Sequence, residues 1–372
     1  MIYGMAVLIS GAILSSLLSD KPMVSFSYFR NFWRLGLPFL VFFSLKKRDH
    51  QRFIYILMFV SSIVGIYATL QFFTGLDYFR SESLRNEYIP SGKTWQAVGF
   101  FSHHLTYGGV SLLLFTLFVP SVMDRDLPWK RRLLFVVASI CNLLGVLFSM
   151  GRSIWLGLIA GLGIIFLLKL KLKGYIAILI LLSIGFGIYS QVSDDSKRWF
   201  YRETTIGRRI GSFTAKANID RLLMWKATLN AIRDNPILGF GPKRAELLQP
   251  YYDKIAKKEK HTFQHPASVG VHNIYLQNWI DFGIVGLIGY LAWWLILIGE
   301  IIHVLKKYPD NRDNTKSLLT GICAGLIAIM IAGIFENNFR DGEVQTVILT
   351  LMGLSLALMY KIKTNPTGNQ FT

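Results

Sequence analysis

The chain has 372 residues, 52% hydrophobic and 17% charged, with the apolar residues gathered in long uninterrupted blocks. That composition excludes an ordinary water-soluble domain and a disordered chain, and defines a membrane protein. The formal net charge of +18 comes from short basic clusters between apolar blocks, as the positive-inside rule requires, which argues against nucleic acid as a partner.

Met1 is followed at once by an apolar stretch to Leu18 with no basic n-region and no small-residue cleavage site, so it reads as a spanning helix and not a removed signal. Further blocks predict spans at about 26–45, 53–73, 100–123, 132–149, 152–168, 174–190, 273–304, 317–338 and 343–361. Crossing a bilayer core of about 30 Å takes roughly 18 to 20 residues, and inside lipid each backbone group must find its partner within its own segment. The expected fold is therefore an all-α integral membrane protein, a polytopic transmembrane helix bundle of about ten spans. The turn "SMGRS" either separates two of them or breaks one long helix.

The linkers "SLKKRDHQR", "DRDLPWKRR", "KLKLKG" and "KKYPDNRDNTK" and the tail "YKIKTNPTG" alternate correctly as cytoplasmic if the amino terminus is inside. The organisation is then transmembrane helices over 1–190, an extracytoplasmic platform over 191–271, and transmembrane helices with a cytoplasmic tail over 272–372. Within the platform, "NIDRLLMWKATLNAIRDNPILGFGP" predicts a helix starting at Asn218 or Asp220 and stopping at Asn235 and Pro236. Leu222, Trp225, Leu229 and Ile232 form one apolar stripe on it, suited to the outer interface of the bilayer.

Several basic residues fall in the outward segment, among them Arg198, Arg202, Arg208, Arg209, Arg221, Arg233, Lys243 and Arg244. A basic platform beside lipid suggests a phosphate or pyrophosphate ligand; a solvated face that binds phospholipid headgroups is the alternative. Arg152 stands alone between two apolar runs at membrane depth, where a charge is costly and usually faces a cavity with a defined partner. Snorkelling to headgroups is the alternative. A guanidinium suits phosphate because its planar fork makes paired, charge-assisted hydrogen bonds.

Three constellations carry less. Asp124 to Asp126, "DRD", has the carboxylate spacing of metal-dependent sugar transferases but lies in a cytoplasmic linker. His103 and His104 have no acid or cysteine at ligand spacing, and His261 and His265 have no acid between them in a metalloprotease pattern. Cys141 and Cys323, both in predicted spans, offer neither a disulfide framework nor a metal site. His272, in "GVHNIYLQNW", is the best placed group for proton transfer, since a neutral imidazole accepts a proton from a hydroxyl; a helix cap or interface anchor is the other reading. Asp281 is nine residues further on, which at about 100° per residue puts it on the opposite helix face. Glu336 and Glu343, flanking the last outward turn, are better placed to orient the histidine.

Three motifs in this order, "SMGRSIWLG", "DRLLMWKATLNAIRDNPILGFG" and "HNIYLQNWIDFGIVG", resemble the bacterial O-antigen ligase and O-antigen polymerase superfamily. The resemblance runs from about residue 95 and is strongest over 148–290. It implies a GT-C-like, metal-independent membrane glycosyltransferase of the inner membrane that needs no cofactor, with its site facing the periplasm and both termini cytoplasmic. The donor would be a glycan on undecaprenyl pyrophosphate and the ligase acceptor a lipid A core sugar, with membrane lipids around both. Carried over residue by residue, Arg152 and Arg221 match the pyrophosphate-binding arginines and His272 the general base, with Asn273, Glu336 and Trp225 as candidate supports. The chain departs from many relatives at Gly270, where they have a second histidine, and at Asp281, where they have Glu; it is also short at its amino terminus, where the family commonly carries additional helices, and further spans upstream fit the same expectation. A polymerase using a second lipid-linked glycan, a protein O-oligosaccharyltransferase, and a transporter for a lipid-linked or anionic solute are the competing expectations.

Overall fold

The computed structural model describes residues 1–46, 50–80, 82–83, 95–169, 216–308 and 314–364. The span expected at 174–190 lies outside the described residues, as do Arg198, Arg202, Arg208 and Arg209. The described helices are α1 (Ile2–Leu17), α2 (Pro22–Phe26), α3 (Leu37–Leu45), α4 (His50–Thr74), α5 (His104–Val122), α6 (Trp129–Phe148), α7 (Arg152–Lys169), α8 (Lys216–Asp234), α9 (Gln249–Glu259), α10 (Ile274–Lys307), α11 (Thr315–Ala332) and α12 (Gly342–Thr364). Seven of these, α4 to α7 and α10 to α12, are long and apolar enough to cross a membrane; α1 is apolar but has 16 residues. The protein is thus an all-α polytopic membrane protein.

Two local expectations change. The block at 26–45 is not one helix: Ser27–Gly36 winds as a 3₁₀ segment between α2 and α3. Its sequence, SYFRNFWRLG, alternates large aromatics with Arg30 and Arg34, a composition for an interface and not for a span. The block at 317–338 stops being α-helical at Ala332, and residues beyond it form the turn that carries Glu336. The "SMGRS" ambiguity resolves as two helices, because Met150 takes a left-handed φ of 54° between α6 and α7.

The chain forms two compact units. The first comprises Met1–His50, Lys216–Asn311 and Ile329–Thr372; the second, Gln51–Ala215 and Arg312–Ala328. In the first unit α1 lies along α10 with backbones touching: a Cβ on Gly4, Gly11 or Gly289 would come under 3.0 Å from the backbone of Trp293, Gly286 or Leu8. Small residues permit that approach, and dispersion between close backbones holds helices together where lipid removes the hydrophobic drive.

α10 itself is broken at Gly283, whose φ of 68° and ψ of −175° are non-helical. A break inside a membrane helix frees backbone groups that must be re-satisfied. The turn Asn235–Gly241 after α8 does this: the Phe240 N–H donates to the Ile280 carbonyl at 2.6 Å, and the Ile284 N–H donates to the Ile237 carbonyl at 3.1 Å. The Trp279 indole N–H adds a bond to the Pro236 carbonyl at 2.8 Å. Gly239, at φ 67°, and Gly283 are the points of close approach: a Cβ on the first would overlap the Ile280 carbonyl and one on the second the Ile237 carbonyl.

The platform helices α8 and α9 enclose their own core of Met224, Ala227, Ala231, Ile232, Leu248, Tyr252 and Ile255, extended by Val271 and Ile280. The predicted stripe therefore divides. Ile232 is buried and Trp225 packs against this core, whereas Leu222 and Leu229 are exposed beside Ile219. One face of α8 supports the platform and the other is left apolar at its surface.

In the second unit α5 is the central helix, buried along most of its length. Its neighbours approach through small residues, Gly161 and Gly321 against Thr116 and Gly145 against Ser111. One end carries a polar ladder: Gln51 to Asn314 at 2.6 Å, Asn314 to Ser121 at 3.4 Å, Ser317 to Asp124 at 2.8 Å, and Lys169 to Ser317 at 2.7 Å. At the other end Gln71 pins the loop entering α5 by bonds with Val98 and Gly99. There the two-residue strands Leu76–Asp77 and Glu82–Ser83 pair antiparallel.

Candidate functional site

His272 lies between two fixed points. Asn273 is the N-cap of α10, its side-chain oxygen accepting from the Tyr275 and Leu276 N–H groups at 3.0 Å each, which satisfies donors that a helix start leaves open. Val271 is held through both of its peptide groups: its N–H donates to Gln277 Oε1 at 3.1 Å, and its carbonyl accepts from the Trp225 indole at 3.1 Å. Between them His272 takes a left-handed φ of 49°, which a non-glycine residue keeps only when its surroundings over-determine it.

That backbone sends the imidazole to the turn between α11 and α12. His272 Nδ1 stands 3.2 Å from Glu336 Oε2, while the other carboxylate oxygen of Glu336 pairs with Arg221 Nη2. The carboxylate is 7% exposed, and the histidine and arginine side chains are 27% and 25% exposed. The acid is thus enclosed while both partners reach the surface. An ionised carboxylate only accepts, so a neutral His272 carries its proton on Nδ1 and keeps the Nε2 lone pair for an incoming proton.

Arg221 and Trp225 are one turn apart on α8, which puts both toward the same neighbour. The Trp225 ring packs 5.8 Å from that of Phe335, beside Glu336. The turn is bound to α10 by the Ile274 N–H, which donates to the Gly333 carbonyl at 2.9 Å, and by the Tyr275 hydroxyl, which donates to the Met330 carbonyl at 2.7 Å.

Of the sequence-derived candidates, Arg221, Trp225, His272 and Glu336 come together, with Asn273 as the cap that starts the helix. Glu343 is exposed in the first turn of α12. Arg152 opens α7 in the second unit. Its turn is fastened by His104 Nδ1, 2.7 Å from the Ser149 carbonyl, and by the Trp155 indole N–H on the Val146 carbonyl at 3.1 Å.

Other polar residues have structural partners. His261 bonds Asp220, whose second oxygen accepts the Gln264 N–H at 3.1 Å, so the residue before Arg221 ties α8 to the end of α9. Arg244, buried with 3% of its side chain exposed, takes both carboxylate oxygens of Asp20 and also Glu246. The bond to Asp20 raises the Arg244 pKa, and the same bond holds the Asp20 carboxyl below the ordinary range. No group of three or more His, Cys, Asp or Glu side chains suited to a metal occurs among the described residues.

Reasoning from sequence missed one feature. Asp281, fully buried, accepts from Gln277 Nε2 at 3.2 Å and forms an ion pair with Arg340. The signal was present: an acid inside an apolar run needs a partner, and the facing turn "ENNFRDGE" holds one arginine.

Fold and site together define a multi-pass helical membrane protein in which a histidine at a helix start faces a carboxylate that is itself paired with an arginine. Residues 135–291 match the family model described as O-antigen ligase, and over this region the chain is O-antigen ligase-like. Arg152, Arg221, Trp225 and His272 fall inside the matched region, and Glu336 outside it. An uncharacterized protein of Haemophilus influenzae is 25% identical over 223 residues, covering 58% of this chain and 54% of that one. The chain thus matches about half the length of this curated relative.

Proposed function

We propose that the protein is an O-antigen ligase-like glycosyltransferase of the bacterial inner membrane, transferring a glycan from undecaprenyl pyrophosphate to a sugar of the lipid A core at the periplasmic face. The observation that carries the proposal is the His272–Glu336–Arg221 cluster, beside the start of an apolar helix in an O-antigen ligase-like chain. The acceptor hydroxyl gives its proton to His272 Nε2 as its oxygen attacks the anomeric carbon. The new glycosidic C–O bond forms while the bond from that carbon to the pyrophosphate oxygen breaks, and undecaprenyl pyrophosphate leaves with the electron pair. Arg152 and the remaining donors of the Arg221 fork stabilise the charge gathering on the leaving group, without a metal or cofactor.

The topology belongs to the same proposal: a GT-C-like bundle, both termini cytoplasmic and the 191–271 platform outside. The Lys363–Glu300 pair, at 3.7 Å, supports it by joining the far ends of α12 and α10 away from the His272 cluster.

Purified protein reconstituted with undecaprenyl-pyrophosphate glycan, lipid A core and a chelator tests the reading. Transfer to the core that persists in chelator and is lost in His272→Ala is expected. Chain growth without the core acceptor would instead make the enzyme a polymerase, and movement of donor across the bilayer with no new glycosidic bond would replace the enzyme with a transporter.

A further inference from the structure

Asp281 is an expensive residue where it stands. It is a fully buried carboxylate in the third turn of a helix that is otherwise largely apolar, and Gln277, one turn before it, is also fully buried. Buried ion pairs seldom add net stability over well-packed apolar side chains, so a stabilising role alone explains the arrangement poorly.

What the group touches is more informative. On one side Asp281 Oδ1 accepts from Gln277 Nε2 at 3.2 Å, and Gln277 Oε1 accepts the Val271 N–H at 3.1 Å. With its amide nitrogen committed to the carboxylate, Gln277 has only its oxygen to present to Val271, the peptide that leads into the left-handed His272. On the other side Asp281 pairs with Arg340, in the 3₁₀ turn Asn338–Arg340 that follows Glu336 by two residues. The Asp281 carbonyl is itself fixed by the Ser15 hydroxyl, which donates to it at 2.9 Å from α1. One carboxylate is therefore bonded toward the backbone of His272 and toward the turn of Glu336.

We infer that Asp281 is a positioning residue for the His272–Glu336 pair: it sets the orientation of Gln277 that holds the histidine's backbone and anchors the turn that presents the glutamate. This rests on the reading of His272 as the base. Asp281 does not touch the reacting atoms.

The test uses the full chain in detergent or proteoliposomes. Gln277→Met preserves volume and leaves the Asp281–Arg340 pair intact while removing both amide bonds. The expected result is a kcat reduced ten- to a hundredfold with the donor KM within about twofold. Histidine-selective ¹⁵N NMR, with the His272 signal assigned by its loss in His272→Ala, should show a reduced population of the Nδ1-protonated tautomer. Asp281→Glu should recover most of the activity lost in Asp281→Asn, since the carboxylate and its two partners are retained. If Asp281→Asn does not fold, the Gln277→Met measurements decide alone. Wild-type kcat and an unchanged His272 tautomer in Gln277→Met would overturn the inference while leaving the base assignment standing. Full activity in His272→Ala would overturn the base assignment itself.

Discussion

Replacing Glu336 by Gln should damage the enzyme more than removing the side chain to Cβ. The wild-type carboxylate serves two partners, one oxygen to Arg221 Nη2 and the other facing His272 Nδ1 at 3.2 Å. A glutamine has one oxygen and one NH₂, and Arg221, which only donates, takes the oxygen. The NH₂ is then turned to Nδ1, where it donates a hydrogen bond to the tautomer that carries its proton on Nε2. That tautomer has no lone pair for the acceptor hydroxyl. The productive tautomer would oppose N–H to N–H and lose its partner, so the unproductive one gains about 2 to 3 kcal/mol, the sum of one bond made and one donor left unpaired. Since 1.36 kcal/mol is tenfold in rate, kcat in Glu336→Gln should fall roughly 30- to 150-fold. Glu336→Ala loses only the orienting bond, about 1 to 1.5 kcal/mol, or roughly 5- to 13-fold. Arg221, already a quarter exposed, can be hydrated in that variant. Single-turnover transfer at saturating donor and acceptor, with thermal stability measured in parallel, reads the difference. A Glu336→Gln variant as active as Glu336→Ala or more so refutes the tautomer reasoning.

Other perturbations test other links. Arg152→Lys and Arg221→Lys keep the charge but not the planar fork, so donor KM should rise and kcat fall by tenfold or more in each; full activity in both would remove the pyrophosphate role. Gly239→Ala forces a Cβ onto the Ile280 carbonyl at a left-handed φ, and by the usual cost of overpacking should destabilise the protein by about 1 to 3 kcal/mol, seen as a lower unfolding midpoint. For Asp20, the pKa in the folded protein is depressed by Arg244, so its stabilising contribution is present above the unfolded carboxyl pKa and disappears as pH falls through the folded one. The midpoint difference between wild type and Asp20→Asn should accordingly be present at pH 7 and shrink as pH falls below the ordinary carboxyl range toward the depressed folded pKa. A difference independent of pH would show that the pair contributes through packing and not charge.

Helices were legible where lipid alone dictates them. An apolar run of span length has one permitted backbone solution, so α4 to α7 and α10 to α12 agree with the blocks read from sequence to within a few residues at most ends. The 27–36 segment departs because its hydrophobic count comes from aromatics interleaved with arginines, and a window average does not distinguish an interface from a span. The stripe on α8 was misdivided for a related reason: Leu222 and Leu229 are more apolar than Ala227 and Ala231, yet the small residues let the platform core close and the leucines stay outside. Hydrophobicity ranks residues, and packing against a particular neighbour selects the face.

The break at Gly283 shows why the chemistry of the site was readable in parts and its assembly was not. His272, Arg221 and Glu336 are each visible as polar groups at the edges of apolar runs. Their meeting depends on backbone geometry that no side-chain pattern announces: a left-handed His272, a helix opened at Gly283, and the Asn235–Gly241 turn docked into that opening. The turn directly follows the helix carrying Arg221 and Trp225, and the opening belongs to the helix that His272 precedes. Bonding one into the other fixes the register of α8 along α10, and with it the reach of Arg221 to Glu336. Glycine at 239 and 283 is thus as much a condition of the site as the charged residues, since a side chain at either position separates the two helices that present them.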